Sequence, residues 1–380
     1  MAETAPIIRI FLCGDVMTGR GIDQALPYPS APQLHESHIK SAVEYLQLAE
    51  RANGPIALPL GFRDLWGAAA EELSRAAPDA RVINLETSIT RSEAYAYKGI
   101  NYRMSPENAA CLVAGGIDCC VLANNHVLDW GHEGLRETLS VLRQANIKAV
   151  GAGENLAQAR APAILEIPHK GRLIIFSFAC VTSGTPRNWA ATPSAAGVNL
   201  LPSLCEQAVT EFAQQVSQKR QRGDVVVVSI HWGPNWGYIV TESERWFAHE
   251  LIERAGVSIV YGHSSHHPKA IEFYHKRLIL YGCGDFLNDY EGICGYEEFR
   301  GDLAVMYLAD VDPTSGEVRA LDLAPFQMRR FRLVHALRDD VNWLRHTLDL
   351  ESRKLGTCIR QKADGRLAVQ PLNVRTAMPC

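Results

Sequence analysis

Acidic, amide and imidazole side chains recur at the ends of apolar runs along this chain. The run 7–13 leads into Gly14-Asp15, the run 81–85 into Glu86, and the run 118–123 into Asn124-Asn125-His126. Farther on, 225–230 leads into His231-Trp232-Gly233, and 257–262 into His263-Ser264-Ser265-His266-His267. Carboxylate oxygen, amide oxygen and imidazole nitrogen together form a donor set for Mn²⁺, Fe or Zn²⁺. Cysteine is absent from these positions, which argues against a structural zinc knot. Taken singly, each residue reads as a hydrogen-bonding loop side chain. Their recurrence at successive strand ends predicts one shared site.

The elements that must position them are short β-rich runs alternating with amphipathic helical stretches. Strands are predicted at 7–13, 81–85, 118–123, 148–151, 173–179, 224–231, 257–262 and 277–281. Several lack period-two alternation, which predicts burial on both faces. Helices are predicted from Ser105-Pro106, a cap residue followed by Pro at the first position, and over 134–144, 203–222 and 242–255. Alternating β and α predicts an α/β layered core. In open sheets of that kind ligands bind outside the carboxyl ends of the strands. Segment 27–59 reads as a loop-rich insertion with one helix. After Gly301 come two strands, 302–311 and 318–323, then a basic segment 329–332, a helix at 339–354 and a last strand near 367–372. The expected organisation is one domain over 1–330 and a helix-plus-strand extension over 331–380 packing on it.

Composition excludes several classes. The chain has 380 residues, 47% hydrophobic and 21% charged, so it can bury a full core and is not disordered over most of its length. Lys and Arg number 38 against 42 Asp and Glu, a net charge of −4, which gives no polycationic footprint for nucleic acid. No apolar run is long enough to span a membrane. Ten cysteines are scattered through apolar segments. With no signal-like opening, they are expected as free thiols in a cytoplasmic protein. No P-loop sequence is present, so ATP-dependent amide formation is disfavoured.

The quoted motifs, with Asp15-Val16-Met17 and Tyr281-Gly282-Cys283-Gly284-Asp285-Phe286, resemble in order the CapA-type poly-γ-glutamate capsule biosynthesis family, which shares the calcineurin-like metallophosphoesterase fold. The resemblance runs over roughly residues 7–310 and implies a four-layer α/β/β/α sandwich with a small C-terminal extension. It also implies roles for single residues. Asp15 would bind one metal, Glu86 would bridge, and Asn125, His231 and His263 would hold a second ion. His266 or His267 would complete the first. His126 would be the catalytic residue acting on the reacting group. The usual Asp-x-His opening is Asp15-Val16-Met17 here, and a thioether is a poor ligand for a hard or borderline cation. One or two divalent ions are therefore expected.

Arg20, Lys98 and Arg103 are candidate contacts to an anionic substrate, small or polymeric. Lys98, Asn101 and Arg103 precede the Ser105 cap, where a helix N-terminus would assist anion binding. Asp285, Asn288, Asp289 and Glu291 read either as orienting partners of the histidines or as turn chemistry. Two functions fit: a metal-dependent hydrolase in synthesis, release or export of a capsule-type polymer, or a non-catalytic accessory module binding polyanion or the subunits of a polymer synthase.

Overall fold

The computed structural model describes residues 6–372. Two β-sheets face each other, and helices cover both outer faces, giving the expected four-layer α/β/β/α sandwich. The larger sheet has eleven strands and runs from Asp285–Leu287 through Asp15–Val16, Ala80–Leu85, Ile8–Cys13, Leu303–Val311 and Val318–Arg329 to Leu367–Pro371 and Thr357–Gln361. Cys119–Val121 and Lys148–Val150 extend it in parallel beside Ala80–Leu85. The seven-stranded sheet has Gly171–Cys180, Asp224–His231, Ile259–His263 and Arg277–Leu280 in parallel at its centre.

Burial on both faces explains the missing alternation. Ile8, Ile10 and Leu12 point between the sheets and join Val225 and Val227 from the opposite sheet. Phe11 and Cys13, the intervening residues, point outward under helices such as Gly67–Ala76 and Gly131–Gln144. Val226, Val228 and Ile230 likewise meet Phe212 and Leu251 of the helices Glu206–Lys219 and Glu242–Ala255. Every second residue thus enters a different core, and each core demands an apolar side chain.

Some local expectations change. The helix expected from Ser105 is a 3₁₀ turn, Pro106–Ala109, followed by the short α-helix Ala110–Ala114. Ser105 does not cap it, because its hydroxyl donates to the Tyr28 carbonyl instead. Helices Arg20–Ala25 and Gly67–Ala76 were not expected, whereas Val43–Asn53 supplies the one helix foreseen in 27–59. Beyond residue 331, the strands Arg332–His335, Thr357–Gln361 and Leu367–Pro371 pair into the large sheet, with helix Arg338–Arg353 packed against it. The nine described cysteines are free, and seven are buried. The seven buried ones fill space as small apolar side chains. Cys380 lies outside the described residues.

One close approach sets the geometry of the site. Gly14 lies against Gly284, and a Cβ at position 14 would sit 2.0 Å from the Gly284 carbonyl oxygen. The Asp15 amide donates to that same oxygen at 2.8 Å. Gly14→Ala is therefore expected to cost about 3 kcal/mol, because rigid backbone has to move. Denaturant unfolding would show it as a lower midpoint, and an unchanged midpoint would mean that the approach is not needed.

Candidate metal centre

Strand register assembles the centre. Asp15 is paired in parallel with Asp285 on one side and Asn84 on the other. His231 and His263 are neighbours in register in the second sheet. The carboxyl ends of both parallel strand sets therefore open toward one cleft. Asn124 shapes the third strand's end: its amide donates to the Asn84 side chain at 3.0 Å and the Leu85 carbonyl at 2.9 Å. Its oxygen accepts the His126 and Val127 amides, both at 3.0 Å. That turn aims Asn125 and His126 at the cleft.

Asp15, Glu86, His231 and His263 are each no more than 1% exposed. Asn84 donates to Asp15 Oδ1 at 2.8 Å, and His263 Nδ1 lies 2.9 Å from the same oxygen. The Asn125 side-chain oxygen lies 3.1 Å from His231 Nε2. Yet Asp15 Oδ2, Glu86 Oε2, His231 Nδ1 and His263 Nε2 are buried with no hydrogen-bond partner. Unpartnered atoms of metal-ligand type on four buried neighbouring side chains fit a divalent cation, since buried polar atoms are otherwise almost always paired. Asp15, Glu86 and His231 bring donor atoms within 4.8 Å of one another, as do Asp15, His266 and Asp285. The carboxylate common to both groups is Asp15, not Glu86. Asp285, read from the sequence as an orienting or turn residue, is one of the converging acids.

Electrostatics follows burial. Burial pushes the Glu86 carboxyl well above its usual range, and the Asp15 charge adds to this. Burial would also raise Asp15, but the His263 hydrogen bond and nearby imidazoles hold it below the ordinary range. Burial lowers His231 to about 3. His266 is stabilised as a cation despite burial, because Asp285 Oδ1 lies 2.9 Å from its Nδ1.

His126 stands beside this group with a different tether. Its Nδ1 lies 2.6 Å from Asp129 Oδ2, and its Nε2 faces Glu86 Oε1 at 3.9 Å. The same Nδ1 lies 3.2 Å from Lys98 Nζ; with the hydrogen on Nδ1 it donates to Asp129, and Nε2 presents its lone pair to the cleft. Burial is the main force that lowers His126 to about 4; Lys98 adds to it and Asp129 opposes it. Lys98 Nζ lies 2.8 Å from Asp129 Oδ1, donates to the Asn125 carbonyl, and stands 5.1 Å over the Trp189 ring. Asp129 was missed in the sequence. Its signal was the three-residue step from His126.

Other expected site residues are placed elsewhere. Arg20 is buried, donates to Asp289, Glu36 and Tyr45, and stacks over Tyr45 and Tyr102. Arg103 donates to Glu93 and to the Ser92 and Ala31 carbonyls and stacks on Trp130. Asn101 is tied to the Ala96 and Asp129 carbonyls. Lys98, Asn101 and Arg103 thus form no common anion cradle. His267 turns away: its Nε2 accepts the Gly237 amide at 3.0 Å and its ring stacks on Trp236 and Phe299. His266 is the one of the pair that faces Asp15.

The family described as Bacterial capsule synthesis protein PGA_cap matches residues 9–290. A probable polyglutamine synthesis accessory protein of Mycobacterium tuberculosis is 44% identical over 98% of both chains. The PGA biosynthesis protein CapA of Bacillus subtilis is 28% identical over 59% of this chain and 56% of its own. A phosphatase of Mycoplasma pneumoniae aligns over 86% of this chain and 97% of its own at 12% identity, with a TM-score of 0.47, too remote a likeness to bear on chemistry. The chain belongs to the bacterial capsule synthesis protein family, which takes part in polyglutamate and capsule synthesis.

Divalent metal is expected to stabilise the fold, because it binds atoms that the native state alone brings together. At 100 times its dissociation constant a single ion adds about 2.7 kcal/mol. Calorimetry with Mn²⁺ against excess chelator would show the rise, and His231→Ala should abolish most of it. Identical midpoints with and without metal would remove the case for an ion.

Proposed function

We propose that the protein is a metal-dependent hydrolase acting on an anionic substrate, small or polymeric, in the synthesis, release or export of a capsule-type polymer. One observation carries this reading: Asp15, Glu86 and His231 bring donor atoms within 4.8 Å of one another in a buried site where Asp15, Glu86, His231 and His263 each keep an unpartnered polar atom, beside His126 and its Asp129 tether. Asn125 and His266 complete the proposed ligand set. A bound divalent ion, Mn, Fe or Zn, would acidify a ligated water and polarise the electrophile.

The chain's own residues supply the rest. Asp129 fixes the His126 tautomer and orientation. His126 Nε2 would take a proton from the attacking water and pass it to the leaving group as the bond to that group breaks. Lys98 is the cation nearest this pair and keeps a solvent-exposed side, although Asp129 and the Asn125 carbonyl already engage its ammonium; Arg20 and Arg103 likewise have their donors engaged by protein groups. Trp189 lies under Lys98, and Trp236 stands 5.5 Å from the His266 ring.

The second reading, an accessory subunit of a polymer synthase with no turnover, has its own support. Met17 stands where the fold expects a ligand, and the 44% identical relatives carry the name of accessory proteins. Partners would then be synthase subunits. Among the described residues no helix is long and apolar enough to cross a membrane, and we place the protein in the cytoplasm.

Paired variants separate the readings. His126→Ala is expected to keep wild-type metal content and lose about 10²–10⁴ in turnover of a phosphodiester or γ-glutamyl amide, the usual contribution of a positioned acid or base. His231→Ala should lose metal and activity together. Full metal in both variants, with no turnover by the wild type on either substrate class, would establish the accessory reading.

A further inference from the structure

Met17 leaves a gap in the expected ligand set, and the neighbouring strand offers a carboxylate to fill it. Residues two apart in an extended segment share a face, so Met17 lies on the Asp15 side of its strand. It is fully buried, and the Tyr290 hydroxyl points at its sulfur from 3.8 Å. The Tyr290 ring stands 5.3 Å from that of His266. Met17, Tyr290 and His266 therefore form one wall of the centre, and none of them carries a negative charge.

Asp285 faces this wall. It is paired in register with Asp15, it is 2% exposed, and it joins Asp15 and His266 in a group whose donor atoms lie within 4.8 Å of one another. Asn288 donates to its Oδ2 at 2.8 Å and fixes the carboxylate plane. Asp15 Oδ2 has no partner.

We propose that Asp285 is a metal ligand, holding a second divalent ion with Asp15 and His266 in place of the ligand that Met17 cannot supply, and that Asp15 is shared by both ions. This rests on the metal-dependent reading above but not on turnover. The alternative role for Asp285 is to orient His266 through its Nδ1 hydrogen bond. Asparagine preserves the acceptor for that bond while removing the charge, so it tells the two roles apart.

The test uses the full chain loaded with Mn²⁺, read by elemental analysis and by the spin coupling of paired Mn²⁺ ions in electron paramagnetic resonance. The wild type is expected to hold two coupled ions and Asp285→Asn one uncoupled ion. Adding Met17→His to Asp285→Asn should return the second ion and its coupling. Asp285→Cys loaded with Cd²⁺ gives an independent reading, since thiolate-to-metal charge-transfer absorption beyond that of the Cd²⁺-loaded wild type, which has ten cysteines of its own, appears only if position 285 ligates. Two coupled ions retained by Asp285→Asn, absence of that absorption, or a single ion in the wild type would overturn the assignment. Two coupled ions in a wild type without turnover would sink the hydrolase reading and leave Asp285 a ligand. A wild type that binds no metal would end both.

Discussion

Everything at this centre depends on confining negative charge at the ends of parallel strands. Asp15 is flanked in register by Asp285 and Asn84, in a backbone packed so closely that Gly14 and Gly284 leave no room for a Cβ. Carboxylates buried there are sustained only by strong compensation. Hydrogen bonds from Asn84 and an imidazole contact with His263 supply part of it. The donor atoms left without partners mark where the remainder has to come from. The two facing sheets make this possible, because one brings the acids and the other the histidines.

The same demand sorts the basic residues. Arg20 lies deep in the protein and forms ion pairs with Asp289 and Glu36, which ties the segment after Asp285 to the early loop. It serves the architecture behind the centre. Lys98 keeps a solvent-facing side and holds Asp129 beside His126. Two cations near one site thus act differently because their burial and their acidic partners differ, and residue type alone carries no information about either.

Membership of the capsule synthesis family and the geometry of the centre constrain function in complementary ways. The family places the chain in the chemistry of polyglutamate and capsule. The centre adds a physical requirement: acids, imidazoles and an amide oriented inward, next to a histidine held in one tautomer. A module that only bound a polyanion would have no need to bury carboxylates where the polymer approaches. That cost argues for an ion, and the Asp129–His126 pair argues for proton transfer beside it.

The strand ends, with Asp15, Glu86, Asn125, His231 and His263, were legible from the sequence. Apolar runs doubly buried in an α/β core announce themselves, and polar residues just past them stand out by contrast. The layered fold followed from the same alternation of runs and helices. What the sequence could not decide was side-chain direction and pairing across distant segments. His266 and His267 are adjacent, and only the packing of Trp236 and Phe299 on one ring turns it away. Arg20 and Lys98 both looked available until their acidic partners were known. Asp285 lies 270 positions after Asp15 in the chain, and only strand register makes it a neighbour. Short-range pattern determines where polar groups leave the core. Which of them share a single desolvated space is a property of long-range pairing, and there the tertiary structure decided.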